Sequence, residues 1–301
     1  MTPSNPHAGQ KKKMPVFGVI VATYNCEADL QRFLKSYSGQ VYPHKRLIVI
    51  DGGSTDATVD IIRQCEKEID FWLSESDKGI YDAWNKGLQN LPPDVEWIQF
   101  MGSDDFYHDD GSLERVAAAI SHVPDKCLIA YTEVKLRYPN GKERIVGTPF
   151  NRRLFFSTGN MVQASTVQIG FFHHKRLFQR YGLYDTSFRI CSDLEFFFRC
   201  FKKEAPILLN AGISVVHTVG GISSAAPRAF ESFREKERIF EKYGYTLKRN
   251  RAYWLRKASC YTKQTCYRIF GERITTALIG FVRKFSNSMP METRDPELIE
   301  N

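Results

Sequence analysis

Leu47-Ile48-Val49-Ile50-Asp51-Gly52-Gly53-Ser54-Thr55-Asp56 runs from four apolar residues straight into a polar, glycine-containing cluster. An apolar run this short, rich in β-branched side chains and closed by glycines, reads as a buried strand that ends in a loop. A helix is expected next, over residues 56–67. Upstream, residues 16–21 form a similar run ending at Thr23-Tyr24-Asn25. Leu30, Phe33, Leu34 and Tyr37 then recur at helical spacing over 27–37. Downstream, residues 71–73 read as a third strand, 79–88 as a helix and 97–101 as a fourth strand. Strands that alternate with helices predict an α/β domain with a mostly parallel central sheet flanked by helices. Ligands of such sheets sit beyond the C-terminal ends of the strands. Polar residues crowd those ends here: residues 23–25, 51–54, 74–77 and 103–105.

The pattern then changes. Residues 127–136 and 144–146 flank Tyr138-Pro139-Asn140-Gly141, and Asn-Gly between apolar runs signals a hairpin. A strand is expected over 161–169, helices near 175–181 and 193–202, and two further strands at 207–209 and 214–217. Beyond Gly220-Gly221 the chain turns helical and basic. Phe270, Ile274, Leu278, Phe281 and Phe285 recur every three or four residues with Arg268, Arg273, Arg283 and Lys284 between them, the pattern of an amphipathic helix.

Composition bounds the function. The chain has 301 residues, with 43% hydrophobic and 25% charged, enough for one large α/β domain with an appendage. Residues 228–284 hold 15 Lys/Arg against 5 Asp/Glu, whereas residues 1–227 hold 26 against 25, so the basic character belongs to the C-terminal part. No nucleic-acid recognition motif accompanies it, and no nucleic-acid partner is expected. No apolar run approaches the ~20 residues of a bilayer span. Residues 1–14 read as a disordered tail with no apolar segment behind it. Seven cysteines without a C-x-x-C pair argue against a disulfide framework or zinc site, so a cytoplasmic setting is expected.

Two carboxylates, Asp104 and Asp105, follow the fourth strand. Adjacent carboxylates at a strand's end repel unless a cation or water relieves them, and Mg²⁺ or Mn²⁺ is commonly held by one or two carboxylates plus a diphosphate. The same pair could instead cap a helix beginning near Gly111. Asp51 ends the second strand where glycines let backbone approach a ligand; it could accept from a base or ribose, or serve the turn. Neither G-x-x-x-x-G-K-[ST] nor G-x-G-x-x-G occurs, which disfavours ATPase and dehydrogenase readings.

Val19-Ile20-Val21-Ala22-Thr23-Tyr24-Asn25, Val49-Ile50-Asp51-Gly52-Gly53-Ser54-Thr55-Asp56 and Gly102-Ser103-Asp104-Asp105, in this order, resemble the family 2 inverting glycosyltransferases of the GT-A fold. Ser74-Glu75-Ser76-Asp77-Lys78-Gly79-Ile80-Tyr81-Asp82-Ala83-Trp84-Asn85-Lys86-Gly87 resembles the bacterial branch that builds exopolysaccharide, capsule and O-antigen units. The resemblance covers residues 15–225, the expected catalytic domain; 226–301 would be a basic helical extension. It implies a nucleoside diphosphate sugar donor, with UDP favoured, and a glycan or lipid-linked acceptor. It places Thr23, Asn25, Asp51 and Gly53 around the nucleoside, with Asp51 reading the base, and Asp77, Lys78 and Asp82 near the ribose and diphosphate. Asp104 matches the metal-binding acid of the family's D-x-D pattern, whose first acid is replaced by Gly102. With Asp105 and His217 it is a candidate ligand set for Mn²⁺ or Mg²⁺.

An inverting transfer needs a base for the acceptor hydroxyl. The segment 184–195 resembles the family's late acidic segment and assigns the base to Asp193, with Glu195 as fallback. Asp193 could also be only a helix N-terminal carboxylate, and His217 only structural. For the basic helix three readings stand: a contact with the cytoplasmic face of a membrane, a lid, or plain packing with a solvated face. Two rivals to the transferase reading remain, a nucleotidyltransferase and a catalytically inactive scaffold subunit.

Overall fold

The structure is a computed structural model and describes residues 14–219, 226–245 and 251–285. Nine strands form one sheet: β1 (Phe17–Thr23), β2 (Lys45–Asp51), β3 (Phe71–Ser74), β4 (Trp97–Gly102), β5 (Phe106–Tyr107), β6 (Ile129–Arg137), β7 (Glu143–Val146), β8 (Phe171–His174) and β9 (Ile207–Thr218). Between and after them come α1 (Glu27–Ser38), α2 (Thr58–Gln64), α3 (Ile80–Gln89), α4 (Ser112–Ile120), α5 (Arg152–Thr158), α6 (Met161–Ala164), α7 (Lys175–Tyr181), α8 (Ser192–Cys200), α9 (Ala229–Lys242) and α10 (Arg251–Phe285).

Strand order is β3-β2-β1-β4-β8-β6-β9-β5, with β7 on β6. The first four strands are parallel throughout. Beyond β4 the pairing is antiparallel except for β6 with β9. The sheet has four parallel and four antiparallel pairings, parallel in its first half and mixed in its second. The physical reason lies in the connections. A parallel neighbour needs a crossover, and helices supply it up to β4. After α4 the chain turns back on itself, first through the Asn140-Gly141 hairpin that joins β6 to β7.

Side-chain alternation along the strands builds a core on each face of the sheet. Ile20, Ile48, Ile50 and Phe100 point to the face covered by α3, α5, α7 and α8. Val19, Val21, Leu47 and Val49 point to the face covered by α1, α2 and α4. The first of these cores is aromatic. Phe197 lies 4.7 Å from Phe171 and 4.6 Å from Phe201, ring centre to ring centre. Ile239 and Phe240 of α9 are buried in that same core, so the C-terminal part contributes to it beyond residue 225. Among the described residues no cysteine forms a disulfide.

Several local expectations are corrected. Residues 161–169 form α6 and a 3-10 turn instead of a strand, because the Asn160 side chain accepts from Gln163 N and caps a helix. The strands expected at 207–209 and 214–217 are one strand, β9, carrying a register irregularity opposite β6. Strand β8 had not been expected; it inserts between β4 and β6 and buries His173 completely. The basic helix forms as α10, broken at Gly271, with Phe270 and Ile274 exposed. The side chains of Leu278, Phe281 and Phe285, residues 1–13 and Gly220-Gly221-Ile222-Ser223 lie outside the described residues. Among the described residues, no helix is long and apolar enough to cross a membrane.

Helix α3 lies close against β1 because Gly87 has no side chain; a Cβ there would come within 2.5 Å of Ile20 Cγ2. Gly87→Val is expected to destabilise the fold by about 1–3 kcal/mol in urea denaturation. In an Ile20→Ala background the added penalty should shrink. An equal penalty in both backgrounds would remove this contact as its cause.

Candidate active site

The ends of the parallel strands are tied together by one carboxylate. Asp51 is fully buried at the end of β2. Its Oδ1 accepts from Thr23 Oγ1 (3.1 Å) and Ser54 Oγ (2.5 Å), and its Oδ2 from Gly53 N (3.1 Å), Ser54 N (2.9 Å) and Ser74 Oγ (2.7 Å). Burial alone would raise its pKa, but the bonds from Ser54, Ser74 and Thr23 outweigh it and hold the carboxyl below its ordinary value. Three strand ends, β1, β2 and β3, thus share one anion. A base N–H could reach the Asp51 carboxylate only by displacing one of these donors, so the structure makes it the organiser of the loop. Asn25 joins the same loops: its backbone N donates to Ser54 Oγ (2.8 Å) and its side-chain Oδ1 accepts from Thr55 N (2.9 Å).

The segment after β3 curls onto this floor. Asp77 packs on Gly52 so closely that a Cβ at position 52 would lie 2.7 Å from Asp77 Oδ2. Asp77 Oδ1 accepts from Gly79 N (2.8 Å), and Asp82 Oδ2 from Lys78 N (3.1 Å), which shapes the entry to α3. Lys86 reaches back to Glu75 (2.8 Å) and Asp82 (3.7 Å). The Lys78 side chain is exposed at this rim.

Asp104 and Asp105 follow β4 and take different surroundings. Asp105 is buried; its Oδ1 pairs with His217 Nδ1 at 2.7 Å and its Oδ2 accepts from Gly102 N at 3.2 Å. Burial would lower the His217 pKa, yet the bond to Asp105 and the charges of Asp105 and Asp104 raise it. Asp104 is pushed up to about 6, first by burial and then by the charge of Asp105. Its backbone carbonyl is fixed by Arg32 Nη2 (2.9 Å) and Thr218 Oγ1 (3.0 Å). A Cβ at Gly102 would lie 2.6 Å from Asp104 Oδ1, so an acid at position 102 would displace Asp104. Among the described residues no three His, Cys, Asp or Glu side chains are arranged to hold a metal. Within the expected set of Asp104, Asp105 and His217, Asp105 and His217 are joined through Oδ1 and Nδ1, and Asp104 lies beside them. Its burial beside a second carboxylate suits a divalent ion that also holds a diphosphate.

Asp193 stands in the first turn of α8, half-buried, with its carboxyl pKa raised by burial. Its Oδ1 accepts from Tyr81 Oη and from Leu194 N, each at 2.8 Å. Two elements hold its segment. From α3, Asn85 bonds both the N and O of Tyr184 (3.0 and 2.9 Å). From α9, buried Glu235 accepts from Arg189 N, Ile190 N and Cys191 N at 2.7–2.9 Å. The fallback base Glu195 is fully buried and committed to Arg199, Lys242 and Tyr243 at 2.6–3.0 Å, which makes it structural. His173 is likewise a core residue, its pKa pushed down to about 3 by burial.

The structure therefore gathers Thr23, Asn25, Asp51, Gly53, Asp77, Lys78 and Asp82 on one rim of the sheet. It joins Asp193 to that rim through Tyr81. Sequence reasoning quoted Tyr81 without a role and missed Glu235. The one signal for Glu235 was an acid one helical turn before Ile239, on a face that is otherwise apolar.

A sequence profile described as glycosyl transferase family 2 matches residues 18–185. A PGL/p-HBAD biosynthesis glycosyltransferase of Mycobacterium tuberculosis is 31% identical over 217 residues, 70% of this chain and 80% of the relative. An uncharacterized glycosyltransferase of the same species is 31% identical over 252 residues, 82% of this chain and 92% of the relative. Among solved structures, S. aureus TarS 1-349 in complex with UDP-GlcNAc superposes with a TM-score of 0.57 at 18% identity, over 92% of this chain and 77% of that one. The mannosyltransferase PcManGT of Pyrobaculum calidifontis, in complex with GDP-Man and Mn²⁺, gives 0.58 at 15% identity, over 95% and 84%.

Two outcomes are expected. Glu235→Ala strands three N–H groups, two of them buried, and should lower stability by about 3 kcal/mol in chemical denaturation. Asp104 ionises above about 4 when unfolded but only above about 6 when folded, so raising pH through that window favours the unfolded chain. Wild type should therefore lose stability relative to Asp104→Asn between pH 4.5 and 6.5. Parallel urea midpoints across that range would contradict the shift.

Proposed function

The chain belongs to glycosyl transferase family 2 and is a glycosyltransferase of GT-A fold, and from that premise we propose that it transfers a sugar from a nucleoside diphosphate sugar to an acceptor hydroxyl with inversion. UDP is the proposed carrier, and a glycan or lipid-linked sugar of cell-surface polysaccharide synthesis the proposed acceptor. Membership sets aside the nucleotidyltransferase reading. The observation that carries the proposal is a half-buried Asp193 whose pKa is raised while Tyr81 ties it to the start of α3. A raised carboxyl close to a nucleotide-binding rim suits a general base.

In this reading the acceptor oxygen bonds to the anomeric carbon while its proton passes to Asp193. The bond from that carbon to the diphosphate breaks, and its electron pair leaves with the nucleoside diphosphate. Thr23, Asn25 and Gly53 form the nucleoside side of the site, on a loop that Asp51 holds in shape. Asp77, Lys78 and Asp82 face the ribose and diphosphate, with Lys78 as the exposed cation. Asp104 would hold Mn²⁺ or Mg²⁺ together with diphosphate oxygens and water, an ion that offsets charge on the departing group when bound. Two solved neighbours support the donor class, one in complex with UDP-GlcNAc and one with GDP-Man and Mn²⁺. The segment 74–87 supports the acceptor class through its resemblance to polysaccharide-building enzymes. Work at the cytoplasmic face of a membrane is proposed from α10, which exposes Trp254, Leu255, Tyr261 and Ile269 beside the cation of Arg268.

Thermal stability in the presence of UDP, GDP, ADP, CDP and TDP, with and without Mn²⁺, tests the donor site. A ligand at ~100 times its dissociation constant should add about 2.7 kcal/mol. One nucleotide should shift the wild type in a Mn²⁺-dependent way, and Asp104→Ala should lose the Mn²⁺ dependence. Absence of any shift would overturn the donor reading.

A further inference from the structure

Tyr81 opens α3 and buries its hydroxyl between two acceptors on the segment that carries the base. The oxygen lies 2.8 Å from Asp193 Oδ1 and 2.8 Å from the Ile190 carbonyl oxygen. Its ring is fixed by Trp84 and Tyr184, with centres 5.4 and 5.6 Å away. Asn85, one helical turn on and on the same face, grips Tyr184. These two side chains of α3 therefore set the distance from the Asp77–Asp82 rim to the Asp193 carboxylate.

The two oxygens of Asp193 are not equivalent. Oδ1 holds Tyr81 Oη and Leu194 N, while Oδ2 accepts from no other residue among those described. A carboxylate with one oxygen committed to donors presents the other to a proton. We infer that Tyr81 is the positioning residue of the base: it holds Oδ1, leaves Oδ2 to receive the acceptor's proton, and keeps the buried carboxylate ionised. This inference rests on the assignment of Asp193 as base. A phenol serves better here than a cation because it favours the charged form without neutralising it. Ile190 O gives the hydroxyl an alternative acceptor once Asp193 is protonated. Four groups face Asp193: Tyr81 from α3, Tyr184 and Cys191 from the preceding segment, and Lys236 from α9. Of these, Tyr81 is the one whose side chain hydrogen-bonds the carboxylate, so its removal has a defined sign. Without that donor the ionised form is less favoured, and Asp193 titrates at higher pH.

The test compares wild type, Tyr81→Phe, Asp193→Asn and a protein carrying 3,5-difluorotyrosine at position 81. Rates are read as UDP release from UDP-glucose and UDP-GlcNAc with water as acceptor. The substrate-free readout is the ¹³C carboxyl resonance of Asp193, assigned by its disappearance in Asp193→Asn. Tyr81→Phe should move the Asp193 titration, and the acid limb of kcat/KM, upward by about one pH unit. Difluorotyrosine, a stronger donor in the same shape, should move both downward. UDP affinity should stay within about twofold in both, because Tyr81 does not face the nucleoside. A titration midpoint unmoved by both replacements overturns the positioning role, even if Tyr81→Phe lowers stability. Undiminished UDP release in Asp193→Asn overturns the base assignment itself, and the positioning role with it.

Discussion

Five donors converge on the Asp51 carboxylate, and the rest of the rim depends on that convergence. A buried carboxylate is tolerated when the chain itself supplies hydrogen bonds to the charged form. Here the donors come from the ends of three parallel strands, so satisfying one charge fixes three loops together. Asn25 and Thr55 lie on those loops. Gly52 gives Asp77 its resting place on them. The loops at these strand ends are therefore assembled from beneath, by a buried anion.

Asp104 and Asp193 are treated differently from Asp51. They are partly withdrawn from water without a full set of donors, and burial pushes both pKa values up. Asp105 beside Asp104 is quieted by His217, which leaves Asp104 as the carboxylate with unmet electrostatic demand. Asp193 has two donors on one oxygen.

The segment carrying Asp193 is braced from both sides. Tyr81 and Asn85 of α3 hold it toward the donor rim, and Glu235 of α9 holds it from the C-terminal part. Helix α9 is thus as much a part of the site as the strands are. Its Ile239 and Phe240 seal the aromatic core beneath α8. The basic residues of this region obscure that role in the sequence, because charge draws the eye to its outer face.

Local pattern alone carried the first half of the molecule. Apolar runs closed by polar clusters gave β1 to β4, and 3.6-residue spacing gave α1 and α3, since burial on a parallel sheet imposes those periods directly on the chain. The polar clusters at the strand ends, with the family resemblance they carry, also marked the candidate site residues. Only the tertiary structure decided how those residues are used. The sequence does not say that Asp51 is spent on internal donors, that Asp105 belongs to His217, that Glu195 is sealed in an ion cluster, or that Tyr81 rests on Asp193. Thr23–Asp51, Tyr81–Asp193, Asp105–His217 and Glu195–Lys242 join residues 28 to 112 positions apart, and no local period encodes such contacts. Strand β8 escaped for the same reason: pairing partners of short strands are chosen by the space that remains, and capping at Asn160 outweighed an apolar run.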